Sequence, residues 1–143
     1  VADLSPGIPA STAVVKVEGR PITLSTLHVL PPVSGDWARS QSDALETLAR
    51  ERSERGKRWV VCGDFNATPW SRAFRTFASQ AALAPVSTGN WFSGTWPASI
   101  PFTGLAIDHC LLAPGLRAVK GEVGPTLSGD HRPIFVSIDS SVR

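Results

Sequence analysis

A β-branched run followed by one of alternating apolar and polar residues marks the first two strands. Ala13 to Glu18, β-branched at Val14, Val15 and Val17, predicts a strand. Gly19-Arg20 predicts a turn, and Ile22 to His28 a second strand pairing with the first. That second strand sets Ile22, Leu24, Thr26 and His28 against Thr23, Ser25 and Leu27. Residues 1–11 carry two prolines, a glycine and no period, and read as loop. Pro31-Pro32 stops the second strand. Asp36 then caps a helix to about Arg55, with Trp37, Ala44, Leu45 and Leu48 near helical spacing and Gly56 at its end. The continuous apolar run Trp59-Val60-Val61-Cys62 suits a strand buried on both faces. Thr68-Pro69 opens a helix to about Gln80, with Ala73, Phe74 and Phe77 on its apolar side. Residues 84–104 are irregular, with Trp91, Phe92, Trp96 and Phe102 among Pro, Gly, Ser and Thr. Ala106 to Leu112, Leu116 to Val123 and Pro133 to Ile138 complete the strands. The order of elements argues for a mixed α/β fold with helices covering a sheet.

Composition narrows the class. The 143 residues suffice for one domain, and 42% hydrophobic against 18% charged residues excludes a disordered chain. A net charge of +2 is too balanced to argue nucleic-acid binding by itself. Cys62 and Cys110 are far apart and form no CxxC pair, so neither a disulfide scaffold nor a thiolate zinc site is expected, and both read as small buried hydrophobes. No apolar run approaches a membrane span, and the N-terminus lacks a basic segment followed by an apolar one. The run Arg50 to Arg58 interleaves acids with bases and reads as a solvated helix end. Trp37, Trp59 and Phe74 are expected in the core. Trp70 follows the loop after the third strand, where it either shapes a crevice or packs structurally. Ser128 lacks a Gly-x-Ser-x-Gly elbow, which argues against a serine hydrolase.

Ionisable residues recur where strands end. His28 closes the second strand, Gly63-Asp64-Phe65-Asn66 follows the buried one, Asp108-His109 follows Ile107, and Ser128-Gly129-Asp130-His131 leads into the last. In α/β sheets such ends bring distant residues to one crevice. Asp and Asn oxygens suit Mg²⁺, and histidines bind phosphate oxygens or carry protons. Each piece alone has a plainer reading: an Asx turn at Gly63–Asn66, a turn before an edge strand at Asp130-His131, a satisfied strand-end histidine at His28. Asp108 is costly to bury without a partner, and a histidine is the natural one, its tautomer fixed by the carboxylate.

Taken in order, Leu27-His28, Gly63-Asp64-Phe65-Asn66-Ala67-Thr68-Pro69, Ile107-Asp108-His109 and Gly129-Asp130-His131-Arg132-Pro133 resemble the endonuclease/exonuclease/phosphatase superfamily. It includes DNase I-like nucleases, abasic-site endonucleases, sphingomyelinases and inositol-phosphate 5-phosphatases. Gly129 stands where the family usually has Ser, which puts the local hydrogen bonding in question. Thr95-Trp96-Pro97 resembles bacterial members, some with membrane helices ahead of this domain, so the compartment stays open.

The resemblance implies a four-layer α/β sandwich of about twice this length. This chain would be its C-terminal half, one mixed, mainly antiparallel sheet with helices on its outer face. The family's metal-holding Glu belongs to the N-terminal half, and Glu18 lies in the wrong context for it. The implied function is a Mg²⁺-dependent phosphoesterase, with Mn²⁺ as substitute, acting on a phosphodiester or phosphomonoester and including nuclease activity. A non-catalytic binding module of the same fold is the alternative. Implied roles are phosphate contact for His28, water activation for Asp64, and support of the phosphate or metal shell for Asn66. Asp108 would orient His131, His131 would stabilise the pentacovalent phosphate, and Asp130 would lie near the metal with Asp64 and Asn66. Implied partners are the phosphoester, from nucleic acid, lipid or small molecule, and either the missing half or a second copy against a bare apolar sheet face.

Overall fold

The computed structural model describes residues 10–89, 93–100 and 103–141, together with the backbone of Ala2–Asp3. Trp91, Phe92 and Phe102, expected in the long loop, lie outside the described residues, as does most of the segment before Ala10. Six strands form one sheet in the order β1-β2-β3-β4-β6-β5. They are β1 (Ala2–Asp3), β2 (Ala10–Val17), β3 (Arg20–His28), β4 (Trp59–Asp64), β5 (Ala84–Pro85) and β6 (Asp108–Leu112). All pairs are antiparallel except β3 with β4. The expected mixed, mainly antiparallel sheet is therefore present, extended by the short strands β1 and β5. A second sheet was not foreseen: β7 (Arg117–Val123) and β8 (Ile134–Asp139) form a separate antiparallel hairpin.

Helices α1 (Gly35–Arg50) and α3 (Arg72–Gln80) pack on one face of the large sheet, and α2 (Arg52–Arg55) is a single turn after α1. The α1 stripe of Gln41, Leu45, Leu48 and Ala49 and the α3 pair Phe74 and Phe77 meet Leu27, Trp59, Val61, Phe65 and Leu111. The buried polar groups in this layer are paired: Trp59 Nε1 donates to Ser25 Oγ at 2.9 Å, and Ser25 shares a hydrogen bond with Thr12. The opposite face carries Ile22, Val60, Leu112 and Leu116, packed against Ile138 of the hairpin. That face answers why β4 is apolar on both sides: Trp59 and Val61 meet helices, Val60 and Cys62 the second layer.

Three expectations need correction. Ser34, not Asp36, caps α1, its side chain accepting from the Trp37 amide; Ser71, not Thr68, caps α3 in the same way with Phe74. In both cases a serine just ahead of the helix offers its hydroxyl to an orphan amide. Trp37 is not core but 43% exposed, because the stripe facing the sheet begins one turn later at Gln41. Cys62 and Cys110 are not free hydrophobes: they stand directly opposite in the β4–β6 ladder and form a disulfide. A separation of 48 residues gave no local signal of that pairing.

Candidate active site

The pleat of β4 turns Val60, Cys62 and Asp64 to the face away from the helices, and the ladder sets Asp64 opposite both His28 and Asp108. Alternation alone thus carries one sheet face from an apolar floor to a polar rim. Gly63 permits the approach of β3 and β4: its φ is +151°, and a Cβ there would lie 2.0 Å from the Leu27 carbonyl oxygen. After Asp64 the chain turns sharply. The Asn66 amide donates to Asp64 Oδ1 at 2.7 Å, and Asn66 adopts φ +45°. The Asx turn and the candidate site are therefore the same structure. Asn66 Nδ2 donates to the Val29 carbonyl and to Asp64 Oδ2.

Four side chains form a row. His28 Nε2 is 3.5 Å from Asp64 Oδ2, which is 3.9 Å from His131 Nε2, and His131 Nδ1 is 2.9 Å from Asp108 Oδ2. The carboxylate accepts, so the Nδ1 of His131 carries the proton and its Nε2 faces Asp64. Asp64 and Asp108 are mostly buried, His131 is partly open and His28 is exposed. Asp130 is exposed and stands apart from the cluster of Asp64, Asp108 and His131, whose ligand atoms all lie within 4.8 Å of one another.

Burial raises the pKa of Asp64, and the facing Asp108 charge adds to this, against the Asn66 hydrogen bond and the two imidazoles. For His131 burial pulls down, but the hydrogen bond and charge of Asp108, with Asp64 and Asp130, outweigh it and the pKa is raised. His131 thus holds its proton more readily than an ordinary imidazole, and Asp64 more readily than an ordinary carboxylate.

The row is supported by residues to which the sequence assigned no role. Gln41 is 4% exposed, and its Nε2 lies 3.0–3.2 Å from the carbonyls of Leu30, Phe65 and Asn66. It ties the loops that follow His28 and Asp64 to α1. An amide in the apolar stripe of a helix was the available signal. His109 points into the helix layer, packed on Phe74 and Phe65, and its Nε2 donates to the Ala67 carbonyl at 2.8 Å. Burial lowers its pKa and keeps it neutral. Thr95 Oγ1 accepts from the amides of Ile107 and Asp108. The same segment receives Arg132 N at the Thr95 carbonyl and sends Ala98 N to the Asp130 carbonyl. Residues 94–98 therefore buckle the start of β6 to the β7–β8 loop and bring Asp108 against His131.

Comparison with known proteins follows this geometry. The sequence profile described as "Endonuclease/Exonuclease/phosphatase family" matches residues 3–131. No curated protein matches the sequence. Among solved structures, an endonuclease/exonuclease/phosphatase from Beutenbergia cavernae superposes with a TM-score of 0.73 at 18% identity, covering 90% of this chain and 38% of its own. A mannosyl-6-phosphatase from Bacteroides thetaiotaomicron gives 0.62 at 19%, covering 85% and 52%. The endonuclease domain of a telomere-specific non-LTR retrotransposon gives 0.67 at 16%, covering 87% and 59%. The chain thus spans well under two thirds of the length of each, and these likenesses speak to the fold.

Proposed function

The chain belongs to the endonuclease/exonuclease/phosphatase family, and from that premise we propose that its row of His28, Asp64, His131 and Asp108 works as the acid–base part of a metal-dependent phosphoesterase. Members of the family are hydrolytic enzymes, nucleases and phosphatases among them, and are typically dependent on divalent metal. The observation that carries the reading is a desolvated carboxylate, Asp64, between two imidazoles, one of them fixed by a second carboxylate.

The donor set fits a small hard cation. Two carboxylates face each other across the β4–β6 ladder with like charge, and oxygen donors are what Mg²⁺ or Mn²⁺ takes. Among the described residues Asp64 and Asp108 are the carboxylates of the cluster; Asn66 is hydrogen-bonded to Asp64, and Asp130 stands outside the cluster. The ion, when bound, supplies neutralisation of phosphate charge. Asp64, with its raised pKa, accepts a proton from the attacking water. His131, protonated and held by Asp108, donates from Nε2 to a phosphate oxygen as charge builds there. His28, exposed at the rim, donates to a second oxygen. The substrate class is a phosphate ester, diester or monoester. The test is hydrolysis of bis-p-nitrophenyl and p-nitrophenyl phosphate by the intact protein, with Mg²⁺, with Mn²⁺ and after chelation. Metal-dependent turnover of either ester supports the reading; turnover of neither, or turnover indifferent to chelation, refutes it.

We also infer that this chain is the C-terminal half of the domain and that the remaining half covers the rest of the sheet's inner face. Val15 and Val17 share that face with Ile22 and are 41% and 38% exposed. Chains of the matched structures are about twice as long over the same fold. The 143 residues expressed alone are then expected to self-associate in sedimentation; a well-behaved monomer contradicts this.

A further inference from the structure

The disulfide lies in a place that the phosphoesterase reading does not use. Cys62 faces Cys110 in the β4–β6 ladder with 4.1 Å between their Cα atoms. Asp64 faces Asp108 in the same ladder, two residues along. Two residues is one same-face step of a pleated strand. The sulfur bridge therefore sits directly beneath the two carboxylates, on the same side of the sheet. It also forms part of the floor of a cavity of about 730 Å³ between the two sheets, which Asp108 and His131 line at its polar end.

We propose that the Cys62–Cys110 disulfide is a positioning element for the Asp64/Asp108 pair, and that the site takes its working geometry only while this bond is intact. The facing carboxylates are mostly buried and of like charge, so they repel. They stand where regular pairing ends: Asp64 is the last residue of β4 and Asp108 the first of β6. Beyond them Phe65 N donates to the Ile107 carbonyl, after which the strands part. Strand ends fray, and repulsion at a ladder's end favours splaying. A covalent cross-link one step below limits it. The spacing of the carboxylates, and through Asp108 the aim of His131, then depend on the bond. This rests on the proposal that the carboxylates hold a divalent cation, and the experiment separates the two claims.

Reduction by a dithiol cleaves the Sγ–Sγ bond. Two electrons and two protons pass to the cysteines, giving two thiols, while the dithiol closes to its own disulfide. Oxidised glutathione reverses the step, yielding two reduced glutathiones. Both cysteines line that cavity, Cys62 half-buried and Cys110 buried.

The experiment compares the intact, metal-free protein oxidised, reduced and reoxidised, with free thiols counted in each state. One readout is the ¹⁵N and ¹H resonances of the His131 imidazole; the other is Mn²⁺ affinity by electron paramagnetic resonance. Reduction is expected to shift the His131 signals and to weaken Mn²⁺ binding about 10-fold, the lower end of what loss of a supporting contact costs a metal site. Reoxidation should restore both. The double variant Cys62→Ser with Cys110→Ser should resemble the reduced protein and ignore the reductant. Identical His131 signals and Mn²⁺ affinity before and after reduction would overturn the proposal. A His131 shift with no Mn²⁺ binding in either state would support the clamp and refute the cation reading.

Discussion

Asp108 Oδ2 and His131 Nδ1 lie 2.9 Å apart across 23 residues of sequence, one at the start of β6 and the other in the loop between β7 and β8. The contact sets both the tautomer and the charge of the imidazole. Replacing Asp108 by Asn removes the largest of the pulls that raise the His131 pKa and leaves only Asp64 and Asp130 against burial, so the pKa should fall. An NMR titration reads this directly, and an unchanged midpoint would contradict it. The stability linked to His131 is present below its unfolded value, about 6.5, and is lost as pH rises through the raised folded value. In Asp108→Asn that part of the pH dependence should shrink.

Gly63 is the closest backbone approach at the site. Gly63→Ala would drive a Cβ into the Leu27 carbonyl and force a left-handed φ on alanine. The ladder between β3 and β4 must then open, at a cost of about 3 kcal/mol. Urea denaturation of the intact protein measures it, and a loss near zero would mean that the strands are not so close.

Gln41→Leu keeps volume and removes the amide that serves three carbonyls. The loops after His28 and Asp64 should loosen and stability fall by about 1–3 kcal/mol, the cost of orphaned buried acceptors. Faster amide exchange at Asn66 and Ala67 is the local signature. Unaltered exchange there would remove Gln41 from the account.

Thr95→Val tests the buckle. Valine matches the shape and lacks the oxygen that accepts from Ile107 and Asp108. Asp108 should lose its fixed place, kcat should fall by about 10-fold or more, and Thr95→Ser should restore most of the loss. Equal kcat in Thr95→Val and wild type would contradict the role.

The sequence carried the parts that depend on local pattern. Period-two alternation in Ile22–His28 put His28 on the same face as Leu24, and the two-sided apolar run Trp59–Cys62 anticipated a strand between layers. The polar residues at strand ends were legible because a strand end delivers its side chains to a rim. Long-range closure was not. The Cys62–Cys110 bond needs the β4–β6 register, which a separation of 48 residues conceals. The separate β7–β8 sheet depends on which layer a strand joins, and its half-exposed pattern looks the same in either layer. The caps moved because Ser34 and Ser71 sit beside equally good candidates, and competition among neighbouring caps is settled by packing.

Asp64 and His131 are the two groups proposed to perform the chemistry. The most direct measurement is kcat for a phosphate ester with the intact protein, wild type against Asp64→Asn and His131→Ala, each shown folded by circular dichroism. The account predicts a loss of roughly 10²-fold or more in each variant, the usual cost of removing acid–base or electrostatic help. Folded variants that turn over the ester as fast as wild type would contradict it.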